Sequence, residues 1–120
     1  MKDGFSRVLL DRGWTGGEEG LFTRGPASLW LFFTRFRAEI MLLHVHAERR
    51  CGHGHRALHD IAAAADHVSG PVLAEVKRMS SHGPGEEILV RFYKSHGFVP
   101  GGLSASGRRL MVRAPRQPGM

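Results

Sequence analysis

Six consecutive residues, Arg49-Arg50-Cys51-Gly52-His53-Gly54, put two guanidinium groups and two glycines directly ahead of an alanine-rich stretch. Glycines let a backbone turn sharply and approach a ligand closely. The free N–H groups of a helix's first turn, reinforced by the helix dipole, favour an anion. Arginines add bidentate donors for phosphate oxygens. Read this way, residues 49–54 and the following His55 and Arg56 form a cradle for a pyrophosphate. The plainer reading is a glycine-rich helix start with solvated arginines. The Gly-x-x-x-x-Gly-Lys-Ser/Thr pattern of nucleotide triphosphatases is absent. A dinucleotide fingerprint would be satisfied only in its relaxed form, with Ala57 at the third glycine position. A nicotinamide enzyme would also need several parallel βαβ units, for which 120 residues leave little room.

Other side chains suited to chemistry are scattered. Tyr93 is the single tyrosine, and it follows Phe92 in a helical pattern. Its phenol can serve as a proton donor, or it can pack beside Phe92 with its hydroxyl satisfied locally. Glu39 stands within the apolar run Ala38-Glu39-Ile40, an uncommon place for a carboxylate, although a salt-bridged glutamate near a strand's start is ordinary. Eight histidines raise the question of a metal. His44 and His46 would share one side of a strand, and His55 and His59 one face of a helix. Each pair supplies two ligands where zinc needs three or four, so no metal site is expected. Cys51, the single cysteine, has no base beside it in sequence that would make it a nucleophile.

The elements that must position these groups follow from hydrophobic periodicity. Phe5, Val8 and Leu9 fall at helical spacing, with Gly13 placed to stop the helix. Gly16 to Gly20 reads as a turn, Leu21 to Arg24 as a short strand, and Ser28 to Phe33 as a second. The longest strand candidate runs from Arg37 to His46, so these three form an antiparallel meander. Ala57, Leu58, Ile61, Ala62 and Ala65 then make one apolar helix stripe, halted by Gly70-Pro71. Val72 to Val76 is a strand, which completes a right-handed βαβ crossover. Met79 to Gly85 reads as loop. A second helix begins at Glu86, with Ile88, Leu89 and Phe92 as its apolar stripe and Gly97 as its stop. Phe98 to Pro100 and Arg109 to Arg113 are two last strands around a Gly/Ser loop, and residues 114–120 read as a flexible tail. The fold class is α/β in the mixed, α+β sense: one domain with a mostly antiparallel sheet and a central parallel crossover.

Composition bounds the rest. Lys and Arg number 17 against 11 Asp and Glu, a formal charge of +6, which favours anionic partners without choosing among them. No apolar run approaches the ~20 residues of a membrane span. The N-terminus lacks an apolar signal region and there is one cysteine, so a cytoplasmic location is expected. Aromatic residues fall mostly within core patterns, so no base-stacking platform for nucleic acid is evident. Strand edges and an apolar N-terminal helix leave homodimerisation open.

Arg49, Gly52 and Gly54 also fill the Arg/Gln-x-x-Gly-x-Gly/Ala motif of the GNAT N-acetyltransferase superfamily, which this sequence resembles. Phe92-Tyr93-Lys94-Ser95-His96-Gly97-Phe98 is similar to that family's Phe-Tyr-x-x-x-Gly-Phe segment, and the order of motifs and strands matches over roughly residues 37–113. The resemblance implies a pair of splayed strands flanked by helices. It implies a loop, residues 49–56, that holds the pyrophosphate of acetyl-CoA, and a bulged strand region, Leu43, His44 and Val45, whose backbone binds the pantetheine arm and stabilises the oxyanion. It implies an acetyl transfer to a primary amine by direct attack in a ternary complex. Tyr93 then matches the family's general acid and Glu39 the base of its histone-type members. His44, His46, Glu75 or a water chain are alternatives for the base. The sequence departs from the family in its shortened N-terminal part, which in relatives builds the acceptor pocket. It departs also around Glu86, where many members carry an asparagine. Two readings from other classes remain: a basic module that binds nucleic acid without catalysis, and a GNAT-like fold that binds CoA as a scaffold or sensor.

Overall fold

The computed structural model describes residues 2–45, 52–76 and 85–116. A helix, α1 (Lys2–Asp11), leads through the two-residue strand β1 (Thr15–Gly16) and a 3-10 turn into the meander β2 (Leu21–Arg24), β3 (Ala27–Phe33) and β4 (Ala38–Val45). Helix α2 (His53–Val68) crosses back to β5 (Val72–Glu75). Helix α3 (Glu86–Lys94) precedes the hairpin β6 (Val99–Leu103) and β7 (Arg109–Arg113). The seven strands lie in the order β1-β2-β3-β4-β5-β7-β6. Every neighbouring pair is antiparallel except β4 with β5, which is parallel, as a helical crossover requires.

Alternation along the strands separates two faces. Phe22, Leu29, Leu31, Ala38, Ile40, Val72, Ala74 and Met111 turn to one face and are buried. Helices α1 and α2 pack together over it. Phe5, Leu9, Leu58 and Ile61 complete this core. The small residues Ala57, Ala64 and Ala65, each fully buried, let α2 lie close. The opposite face carries Leu21, Trp30, Phe32 and Met41, all exposed.

Two side-chain clusters tie the layers. Asp60, 3% exposed, accepts from Arg12 Nη1 (3.1 Å), from Trp14 Nε1 (3.0 Å) and from Arg24, fastening α2 to the N-terminal segment. Arg113, also 3% exposed, forks onto both oxygens of Asp66 (2.8 and 3.1 Å) and donates Nε–H to the His96 carbonyl. That joins β7, α2 and the end of α3.

Four expectations need correction. The inward face of α3 is Val90 and Tyr93, with Leu89 and Phe92 beside them, while Ile88 is 58% exposed. On α2 the stripe includes Ala64 and the carboxylate of Asp60, whereas Ala62 is half-buried. Helix α1 turns Phe5 and Leu9 inward, so it offers no apolar stripe for a partner. The first part of the C-terminal segment is anchored: Arg116 N–H donates to Asp66 Oδ1 at 2.8 Å, and residues 117–120 lie outside the described residues. No helix among the described residues is long and apolar enough to cross a membrane.

Candidate active site

The site begins where the sheet forks. Strands β4 and β5 pair through Ala38↔Val72, Glu39↔Leu73 and Ile40↔Ala74, and no further. Strand β4 nevertheless runs on to Val45, held on its other side by β3. Leu31 pairs with Ile40 and Trp30 with Leu42, so Met41 is an extra residue without a partner in β3. The bulge therefore sits two residues earlier than Leu43.

That bulge decides which backbone groups face the fork. Ala38 donates its N–H to the Pro71 carbonyl, so Ala38 and Ile40 turn their polar groups toward β5. An inserted residue shifts the alternation by one. Counted along the regular β3, Leu42 and His44 then bond toward Trp30 and Ser28, while Leu43 and Val45 turn their N–H and C=O toward the fork. Their side chains pack against the core, which fixes the strand there.

Helix α2 supplies the second wall. It returns from the end of β4 to Val72, the partner of Ala38, so its first turn lies at the open end of the fork. Gly52 is its N-cap at φ 73°, a left-handed conformation that costs glycine nothing, and no side chain caps the turn. Arg56 N–H bonds the Gly52 carbonyl at 3.0 Å, the first intrahelical bond, which leaves the amides of His53, Gly54 and His55 outside the helical ladder. A Cβ on Gly52 would meet no described residue within 4 Å, so among the described residues the space beside it is open. Gly54 serves packing instead: a Cβ there would stand 3.2 Å from Phe92 Cζ, so glycine lets α3 lie against the first turn of α2. His53 is half-buried and Arg56 is exposed. His46, Arg49, Arg50 and Cys51 lie outside the described residues.

Helix α3 brings Tyr93 to this corner. Its neighbour Phe92 meets the His55 ring edge-on at 4.9 Å, and Tyr93 packs between Phe92 and Phe98. Tyr93 is 8% exposed, and burial pushes its phenol up to about 12. Its hydroxyl makes no hydrogen bond among the described residues, yet it is not a buried unpartnered atom. The ring is thus in the core and the oxygen at its surface.

Two carboxylates stand at the fork on the uncovered face. Glu39 Oε1 accepts from Arg37 Nε at 2.9 Å and lies 2.8 Å from its Nη2. Glu75, one residue beyond the last β4–β5 pair, accepts from Ser106 Oγ at 3.2 Å and faces Arg108 at 3.7 Å. Both are already engaged by hydrogen-bonding or basic neighbours.

His55, on the same helix as His59, also reaches a histidine outside that helix. His55 Nδ1 lies 2.9 Å from His96 Nε2, a bond that needs a lone pair on one ring. Burial, then the charges of His55, His59 and Arg113, lower the pKa of His96. No group of three metal-ligating side chains occurs among the described residues. His96 and Arg113, which fasten α3 to α2 and β7, were not foreseen. The motif around residues 92–98 marks the segment but not its partners.

No protein-family model matches this chain, and no curated protein matches it. Solved structures do. The crystal structure of the anti-CRISPR protein AcrVA5 is similar at TM-score 0.66 with 20% sequence identity, covering 77% of this chain and 94% of that one. The ribosomal-protein-S18-alanine N-acetyltransferase from Escherichia coli is similar at TM-score 0.60 with 14% identity, covering 99% of this chain and 92% of that one. At these identities the likeness is one of fold. The chain has a GNAT-like fold: among the described residues, a mixed sheet with one parallel pair, and three helices.

Proposed function

We propose that this protein is an N-acetyltransferase that uses acetyl-CoA to acetylate a primary amine. The observation that carries this reading is the fork between β4 and β5, whose open end meets the uncapped first turn of α2. An extended chain of amides ending in phosphates fits that combination. Leu43 and Val45 offer backbone donors and acceptors along the fork, and the amides of His53, Gly54 and His55 offer an anion site at its end. The space beside Gly52 accommodates the phosphates, and Arg49, Arg50 and Arg56 add positive charge.

Acetyl-CoA supplies the acyl group: the acceptor nitrogen forms an amide bond to the acetyl carbon as the carbon–sulfur bond breaks. The amine gives up one proton and the thiolate gains one. A backbone N–H at the bulged part of β4 stabilises the oxyanion. Tyr93, whose hydroxyl has no partner among the described residues and which stays protonated through neutral pH, donates a hydrogen bond to the sulfur. Glu39 and Glu75 are the carboxylates nearest the fork for receiving the amine proton, in each case after rearranging a hydrogen bond or ion pair. Calorimetric titration with acetyl-CoA, with ATP as comparator, tests the reading. Micromolar binding that prefers acetyl-CoA, followed by thiol release with an amine, supports it. Folded protein that binds neither acetyl-CoA nor CoA refutes it.

A further inference from the structure

Among the described residues, the helices leave one face of the sheet bare. In register across five strands, Phe32, Glu39, Leu73, Val112 and Val99 form one row. Leu21, Trp30 and Met41 stand beside it on the same face. Five of these side chains are large, apolar and between 37% and 58% exposed: Leu21, Trp30, Phe32, Met41 and Val99. Isolated exposed apolar residues are ordinary, but a contiguous set on one flat face marks an interaction surface.

Size and charge identify the occupant. At ~4.8 Å between strands the row spans about 19 Å, more than a small amine covers. Aromatic side chains bury roughly 150–250 Å² each, so Trp30 and Phe32, about half exposed, together offer roughly 150–250 Å², and Leu21, Met41, Val99, Leu73 and Val112 add to it. A standard interface takes about 800 Å² from each partner, about 65% apolar in homodimers, to which these side chains contribute. Among the described residues, the charged groups on this face pair with each other: Arg37 with Glu39, and Arg108 with Glu75. The chain as a whole carries +6, so an acidic partner is drawn to the rest of the surface, whereas this face is locally balanced. A surface holding both signs can meet itself across a two-fold axis with opposite charges opposed, because residue i of one copy contacts residue j of the other.

We propose that this uncovered face is a homodimer interface, in which two copies of the chain pack sheet against sheet with Phe32 and Trp30 as its aromatic anchors. Such packing sets the two inner faces about 10 Å apart, with side chains interdigitating. The interface takes in Glu39, which leaves the amine proton to Glu75 or a water chain; the inference does not otherwise rest on the enzymatic reading.

Sedimentation equilibrium over a concentration series tests it. The expected result is a mass rising from the 13.3 kDa monomer to twice that value. Phe32→Glu, at a position already 52% exposed, should weaken association at least about tenfold with an unchanged far-ultraviolet circular dichroism spectrum. Val99→Lys, at the far end of the same row and 58% exposed, does the same if the first variant proves poorly folded. Leu10→Glu, 46% exposed on α1 behind the covered face, should leave the dimer intact. A monomer at all concentrations to about 1 mM overturns the proposal, as does a dimer that survives both face variants or that Leu10→Glu breaks.

Discussion

Replacing Tyr93 by phenylalanine separates chemistry from folding, because the hydroxyl has no hydrogen-bond partner among the described residues and the ring stays packed between Phe92 and Phe98. Stability should therefore change by less than about 0.5 kcal/mol, the usual range away from buried interactions. The size of the catalytic effect follows from the acidity. Burial lifts the phenol to about 12, while a free thiol sits near ~8.5. Moving the proton fully to a thiolate would be uphill by about 3–4 pKa units, or roughly 5 kcal/mol. A hydrogen bond from the neutral phenol to the developing thiolate avoids that cost and contributes about 1.5–3 kcal/mol. The expected fall in kcat is thus about 10- to 150-fold, below the ~10⁴-fold upper range of full acid catalysis, with acetyl-CoA affinity unchanged. A continuous thiol-release assay reads the rate, and calorimetry reads the affinity. An unchanged kcat removes Tyr93 from the mechanism. A loss of acetyl-CoA affinity in folded protein shows instead that the hydroxyl binds the cofactor in the ground state.

Alkaline unfolding tests the same residue by another route. A pKa raised from 10.0 to about 12 contributes stability that is present below pH ~10 and is lost as the pH rises toward 12. Tyr93→Phe should therefore lessen the loss of stability over that interval in urea titrations. Asp66 behaves in the opposite sense. The Arg113 fork holds its carboxyl below the usual value against partial desolvation, with the Arg116 amide assisting. Its contribution is present above pH ~4 and is lost as the pH falls through the lowered value, so Asp66→Asn should flatten the acid limb of stability against pH. Asp60→Ala should cost about 3–5 kcal/mol in urea unfolding, because it leaves Arg24 and the Trp14 N–H without their acceptor; a cost under 1 kcal/mol refutes the structural role given to that cluster. Gly52→Glu should abolish acetyl-CoA binding in calorimetry while the protein stays folded, since it adds a negative charge and strains a left-handed backbone that has open space beside it.

The elements were legible because most strands alternate cleanly and punctuation is strong. Leu21–Arg24 is bounded by Gly20 and Gly25, and the crossover helix ends at Gly70-Pro71, so both were placed from local signals. Helix α3 was read less well. Ile88 fits an apolar stripe in a nine-residue helix as well as Val90 does, and nothing local says which side meets the sheet. Asp60 and Arg113 are polar residues that sequence patterning sends to the surface. Each is buried because its partners come from 36 to 48 residues away, or from 17 and 47. Long-range polar satisfaction has no periodic trace.

The candidate site was legible as a loop and a helix start, and illegible as a fork. A glycine at an N-cap is visible in sequence because left-handed geometry selects for it. The bulge at Met41 is not, since Met41-Leu42-Leu43 reads as three apolar residues of one strand and register lives in the pairing with Trp30 and Leu31. The same bulge has two consequences. It turns the backbone of Leu43 and Val45 into the fork, and it leaves the Met41 side chain on the bare face with Trp30. A single inserted residue therefore serves the proposed cofactor slot and the proposed dimer face together. Deleting Met41 leaves Leu42 opposite Trp30 and Leu43 opposite Leu29, so it removes the local bend of β4 at the fork and the Met41 side chain from the bare face, and should impair both acetyl-CoA binding and association. A deletion variant that keeps its circular dichroism spectrum and both properties would refute that link.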